Sequence, residues 1–535
     1  MKRRMTTTLA VLAFSIGAAV AAPSALAANR CVGPKHGCYP TLQQAVDAAA
    51  DGDTITIARG TYAGGVTVNV SVAIVGAGAG LTIISGGGPV LTLGVAGAAS
   101  EPTISLTGVT VTGGVATGDG NVTFVGLGGG IRIPGAADGA GATVTIRSSV
   151  ITGNRATPSS TVDSGEPCPG GSDCQFAGGF GAGIADIGKL TLINTTVSNN
   201  VAGGGLASEA NGAGIWTATN GGAGTLTLIN STVTGNRASV SAPNGRFAGG
   251  GGIFVQDGED FHVINSVISN NATSVTSSFP SGVDTSAVTA GIQIGGFGSA
   301  SIQGSRIMGN VASATNSVGP TSANSAALGE SFGFCTCGQT FVLKDTVISG
   351  NSSVASGGDG TFSANIVEID GPATVSTTAI IDNSVSATSS SGAASALGAF
   401  FDLNSDPQPV VMKNSIVRGN VAKASTPDGP VAVVGAGIVN GGRLQLHNVA
   451  VSGNSGTASG TSGHALGGGI WNGMPLAPDG PTPQLTLDHT LVTHNALIAS
   501  AGLSVQGGGV FADGFPFTNT SSVIAGNTPD QCVGC

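Results

Sequence analysis

The sequence predicts an all-β fold: a single-stranded right-handed parallel β-helix solenoid with three short strands per coil and an N-terminal capping helix. Three observations predict it. An eleven-residue block recurs eleven times, glycine runs precede most blocks, and the blocks and the runs before them have no helical period.

Each block ends in Asn, at Asn154, Asn200, Asn236, Asn271, Asn310, Asn351, Asn383, Asn420, Asn454, Asn495 and Asn527. One copy runs from Leu190 to Asn200 and the next from Leu226 to Asn236. Positions one and three are apolar, as in Leu190 and Leu192, with the exception of Asn519 at position three of the last copy. They alternate with polar neighbours, so both point inward from one strand. Position five, such as Asn194, Asn230, Asn265 or Asn448, turns the chain, and position eight, always Val or Ile, points inward from a second strand.

A third strand begins at the glycine runs, among them Gly-Gly-Gly-Ile at 128–131, 250–253 and 467–470. Coils of this kind stack strand on parallel strand ~4.8 Å apart, so eleven of them make roughly 50 Å of tube. The terminal Asn is expected to occupy a left-handed corner, which Asn tolerates, and to bond its counterparts along the axis. The spacers between Asn and the next glycine run vary in length, which crowds insertions on one edge of the tube.

The chain divides into a signal peptide at 1–27, a cap with the first coils at 28–125, and the repeat region at 126–535. Lys2, Arg3 and Arg4 precede an apolar stretch and the cleavage motif Ala25-Leu26-Ala27, so the mature chain is expected to start near Ala28, secreted or at the cell surface. No other segment offers 18 consecutive apolar residues, so no membrane span is expected in the mature chain. Residues 41–50 read as a helix with Thr41 as its cap, plugging the first coil.

The stretch 41–62 resembles the opening segment of pectin-lyase-like β-helices. The Gly-Gly-Gly-Ile and Asn-Ser-Thr-Val-Ser-Gly-Asn pattern is similar to bacterial secreted right-handed parallel β-helix repeat proteins, and to the repeats of polymorphic outer-membrane proteins. The resemblance implies the fold over nearly the whole mature chain. It leaves function open, because lyases, hydrolases, esterases and adhesins share that fold. The Asn-Thr-Asp, Asp-Asp, Gly-His-Gly and Arg-Ile-Lys motifs of polygalacturonases do not occur.

Charge narrows the partners. Loss of the signal removes three of 18 basic residues and leaves 15 against 28 acidic, a net −13 with no basic run. Nucleic acid is therefore not an expected partner. The eight cysteines form local pairs, Cys31/Cys38, Cys168/Cys174, Cys335/Cys337 and Cys532/Cys535, which after a signal peptide read as disulfide staples.

Two constellations are candidates for chemistry. Acids follow the glycine strand at Asp186, Asp257, Glu259, Asp260, Glu368, Asp370, Asp402, Asp406 and Asp513. Adjacent coils would bring Glu368 and Asp370 near Asp402, a set suited to Ca²⁺ or to acid–base work on a glycoside. Most of these acids are expected to be solvated turn residues. The second constellation is His447 and Asp488, which share block position four in successive units, with Lys413, His489 and His494 close by. His464, in the insertion 455–466, would turn this face into a cleft if the insertion folded over it. The expected function is a non-catalytic, adhesin-like exported protein that binds glycans or another surface component. A polysaccharide lyase or glycoside hydrolase and a structural cell-envelope protein are the alternatives.

Overall fold

The computed structural model describes residues 27–97, 101–118, 125–135, 141–158, 177–204, 207, 209–218, 224–242, 246–256, 259–278, 285–330, 341–403, 406–473, 482–512 and 514–535. Among the described residues nearly all regular structure is strand, and the strands form five sheets of 15, 14, 11, 11 and 14 members in which each strand pairs with its counterpart one coil away. Named in chain order around one coil, sheet I holds Arg443–His447, sheet II Ala450–Ser452, sheet III Ser455–Ser459, sheet IV Ser462–Leu466 and sheet V Ile470–Asn472. The pairing is parallel throughout these ladders, as between Arg443–His447 and Gln484–Asp488.

The expected three strands per coil describe the first turns, such as Thr54–Ile57, Gly60–Ala63 and Val66–Val68, and the last, Phe517–Thr520, Val523–Ala525 and Cys532–Val533. From the coil that opens with Thr103–Thr107 through the one that opens with Gln484–Asp488, each coil has five. The spacers after the Asn supply sheets III and IV. Their inward positions are small, for example Ala238, Ala314 and Ala355 against Ala248 and Ala323, and these form an alanine-lined core beside the main one. The main core is built from block positions one, three and eight, such as Leu190, Leu192 and Val197, all fully buried. Variable connections fall on two edges, III to IV and V to I, rather than on one.

In all eleven blocks the residues at positions five and ten have φ between 46° and 68°. The terminal Asn is not the left-handed residue; its predecessor is, which explains Gly, Asn, Asp or His at position ten. The Asn is instead a buried ladder. From Asn154 to Asn495 each Nδ2 donates to the Oδ1 of the next Asn at 2.9–3.0 Å. The same Oδ1 also accepts the backbone N–H of the preceding Asn, and the second Nδ2 hydrogen goes to the position-eight carbonyl one coil back. Gln531 ends the column, its Oε1 accepting from Asn527 N at 3.0 Å and Nδ2 at 3.2 Å.

The glycine runs and the ladder are coupled. A Cβ on Gly183, Gly437 or Gly469 would lie 2.8–2.9 Å from the Nδ2 of Asn200, Asn454 or Asn495 in the same unit. At the N-terminal end, the Leu42–Asp47 helix is capped by Thr41 and places Leu42, Ala45 and Val46 in the main core. Cys31–Cys38 and Cys532–Cys535 are disulfides. Residues 1–26, Cys168, Cys174, Cys335, Cys337, Asp257 and Asp513 lie outside the described residues.

Candidate functional site

Sheet V carries the most distinctive surface. Its strands are two to four residues long, so one side chain faces out between two that face in. The outward residues stack in register as Trp216, Phe254, Gln293, Gly329, Glu368, Phe401, Val439, Trp471 and Phe511. The outer column of sheet IV beside it includes Phe180, Asn211, Asn324, Leu397, Val434 and Leu466. The two columns touch: Phe180 stacks on Trp216 with ring centroids 5.8 Å apart, and Leu397, Phe401, Val434 and Val439 form one cluster with Trp471 partly buried against it. Outer faces of adjacent walls can pack on each other only where the walls meet at a re-entrant angle. The IV–V corner is therefore a furrow along the tube, apolar toward both ends and polar between.

Both tryptophans of the chain stand in this furrow. Trp216 is 8% exposed and Asn211 7%, yet Trp216 Nε1 and Asn211 Oδ1 have no hydrogen-bond partner among the described residues. A buried unpaired donor and a buried unpaired acceptor suit a ligand whose groups both give and take hydrogen bonds, as hydroxyls do. At the polar centre, Ser325 Oγ donates to Glu368 Oε2 at 2.5 Å and Asn365 Nδ2 donates to the same oxygen at 3.2 Å. Burial raises the Glu368 carboxyl above the usual carboxylate range despite those two bonds.

The expected metal set separates. Glu368 faces the furrow, whereas Asp402 is fully buried on the inner face of sheet V, in the column that includes Glu330, Ile369, Asp402, Asn440 and Asn472. Asp370 follows its strand, with its N–H on Glu330 Oε2 at 3.3 Å. Among the described residues no three His, Cys, Asp or Glu side chains converge on a point that could hold a metal ion. The physical reason is strand alternation, which sends neighbouring carboxylates to opposite faces of one wall.

Several acids expected in solvated turns are interior instead. Asp186 and Glu259 are fully buried, and Thr217 Oγ1 lies 2.5 and 2.6 Å from the two carboxyl oxygens of Glu259. Burial pushes Asp186 up to about 8, against one hydrogen bond from Gly188 N–H. Burial, and then the charge of Asp186, pushes Glu259 up to about 9. Burial raises Glu330 well above its ordinary value, with Asp370 adding to the effect.

His447 and Asp488 are register partners on the outer face of sheet I, with Lys413 one coil earlier. His447 Nδ1 is 3.1 Å from Asp488 Oδ2, and His489 Nδ1 is 2.7 Å from Asp488 Oδ1. These bonds hold the Asp488 carboxyl below its ordinary value. Residues 455–466 do not fold over the pair: they form the strands Ser455–Ser459 and Ser462–Leu466 of sheets III and IV, with His464 between Ala432 and Ser504. His489 and His494 occupy the left-handed positions five and ten of their block. A shallow groove of about 470 Å³ lies next to His489, floored by Ile416, Ala450 and Leu491 and edged by Asn414 and Asn448.

No protein-family model matches the chain. No curated protein matches it either. Among solved structures it is similar to the A-module of the mannuronan C-5 epimerase AlgE6 of Azotobacter vinelandii, at 12% identity and a TM-score of 0.30, over 91% of this chain and 95% of that one. A likeness of that size carries no argument about chemistry, and the parallel five-sheet tube rests on its own strand pairing.

The aromatic column was findable from sequence. Trp216, Phe254 and Trp471 each follow the Ile of a glycine run, at Ile215, Ile253 and Ile470, so they occupy one repeat position.

Proposed function

We propose that the chain is an exported, non-catalytic β-helix that binds an extended glycan, or another periodic cell-surface component, along the IV–V furrow. The observation that carries this reading is the register of Trp216, Phe254, Phe401, Trp471 and Phe511 along one column, with Gln293 and Glu368 at its centre. Aromatic rings cover the apolar faces of sugars while amides and a carboxyl bond their hydroxyls. A rigid column with a fixed axial repeat suits a polymer better than a small molecule. In this reading the coil is right-handed, as parallel crossovers almost always are, and the Leu42–Asp47 helix caps it. Kinship with the secreted pectin-lyase-like repeat proteins belongs to the same proposal.

The experiment is retention on insoluble polysaccharides and on a glycan array, for the mature protein and for Trp471→Ala and Phe254→Ala. Each replacement is expected to weaken binding about fivefold or more, the loss of ~1 kcal/mol of ring contact. Binding untouched by both replacements would remove the furrow from the account. One observation favours the enzymatic alternative, a lyase or hydrolase: burial shifts the Glu368 carboxyl upward, the direction a general acid requires, at a point of the column between Gly329 and Phe401. Release of new reducing ends or unsaturated sugars, abolished in Glu368→Gln, would establish that alternative.

A further inference from the structure

The first strand of sheet I, Asn29–Val32, lies at the outer edge of the tube and pairs only with Thr54–Ile57 within that sheet. A terminal strand of this kind frays unless it is tied down. Here the tie is Asp53, which begins the neighbouring strand and is 3% exposed. Its Oδ2 accepts from Arg30 Nε at 2.8 Å and from Ala50 N at 3.0 Å. Its Oδ1 accepts from Ala28 N at 2.7 Å. Arg30 Nη1 reaches Tyr39 Oη at 3.4 Å, so Asp53, Arg30 and Tyr39 are the ionisable groups of this cluster. The Ala28 carbonyl, in turn, accepts from Thr54 N at 2.9 Å, which starts the ladder.

Ala28 is also the residue that follows the Ala25-Leu26-Ala27 motif. Ala27 and Ala28 are exposed. The nitrogen that a signal peptidase would free is thus the nitrogen already placed on a carboxylate oxygen. In the uncleaved chain it is a neutral amide with one hydrogen. After cleavage it is an ammonium with three hydrogens and a full positive charge, against an acceptor that is already fixed.

We propose that hydrolysis of the Ala27–Ala28 bond by a signal-peptidase-type protease creates an α-ammonium that pairs with Asp53 and fastens the first strand of the tube. Water supplies the hydroxyl that makes the Ala27 carboxylate, and the Ala28 nitrogen keeps the bonding pair and is protonated. The inference rests on the export reading and is independent of glycan binding. Processing then has a structural consequence: the opening end of the helix is completed only in the mature chain.

The test uses two full-length mature proteins, one starting at Ala28 and one retaining Ala27, together with Asp53→Asn in the first. Intact mass of the exported protein is expected to place its start at Ala28. Acylation of the α-amine near neutral pH is expected to be about tenfold slower in the Ala28 form than in the Ala27 form, as a one-unit rise in amine pKa would give. Asp53→Asn is expected to remove the difference; should that variant fail to fold, the comparison of the two wild-type lengths stands alone. A start site elsewhere, or equal acylation in the two lengths, overturns the proposal.

Discussion

The side-chain amide of Asn310 donates to Asn351 Oδ1 across 2.9 Å, and the same oxygen takes the backbone N–H of Asn310, also at 2.9 Å. Both residues are fully buried, so neither donor has water as a substitute. Asn351→Val strands both and frees the Ile307 carbonyl as well. Its expected cost is about 2–6 kcal/mol, from 1–3 for each of the two buried donors left unpaired. Equilibrium urea unfolding measures it, and a midpoint equal to wild type would mean that the ladder contributes nothing.

Glycines that look alike in sequence are expected to respond differently. A Cβ on Gly437 would meet Asn454 Nδ2 at 2.9 Å and the Gly469 carbonyl at 2.5 Å. Gly437→Ala should therefore cost about 1–3 kcal/mol by overpacking. Gly453 has φ +63° and open space beyond it, and its counterparts at Asn199 and Asn270 are Asn. Gly453→Asn should stay within about 0.5 kcal/mol of wild type. Thermal unfolding of the two variants side by side checks the ordering, and a reversed order would contradict the assigned positions.

The interior acids give the protein an alkaline weakness. Folded Asp186 titrates at about 8 and Glu259 at about 9, against ~4 when unfolded. Between those limits the folded chain holds protons that the unfolded chain has released. Stability therefore falls as pH rises from about 4 through 9 and levels off above. Asp186→Asn and Glu259→Gln remove the titration, and each is expected to raise stability at pH 9 relative to pH 5 by on the order of 2–4 kcal/mol over wild type. Parallel slopes for wild type and variants between pH 5 and 9 would show that these carboxyls titrate normally.

Much of this is legible in the block itself. Alternation at positions one, three and eight marks sheets I and II, and the invariant Asn marks the column. Sheets III and IV are less so, because their inward residues are mostly small, as Ser353, Ala355 and Gly357 in Ser352–Gly357, and small residues alternate with little hydrophobic signal. The buried acids follow from parity: Asp186, Glu330 and Asp402 stand two residues after Ile184, Leu328 and Phe400, and so share their inward face. Their position at strand ends resembles a turn, which hides them. The furrow depends on the angle between two walls, which no single strand encodes.

The imidazole–carboxylate pair on sheet I is expected to be surface chemistry. His447 and Asp488 are about one-third exposed on an outer wall, at 35% and 34%. His447→Ala and Asp488→Asn should each change stability by less than about 1 kcal/mol and leave polysaccharide retention unchanged. Loss of retention or of a polysaccharide-degrading activity in either variant would move the functional site to that wall.

The central claim is that a glycan lies in the furrow and leaves intact. Because Trp216 and Trp471 are the only tryptophans and both stand there, intrinsic fluorescence reports on the furrow directly. The decisive measurement is a fluorescence titration with the polysaccharide that the protein retains, with reducing ends and unsaturated products assayed in the same sample. A saturable change in tryptophan emission, reduced in Trp471→Phe and without product release, is the predicted result. Binding with unchanged emission, or emission changes accompanied by chain cleavage, would contradict the account.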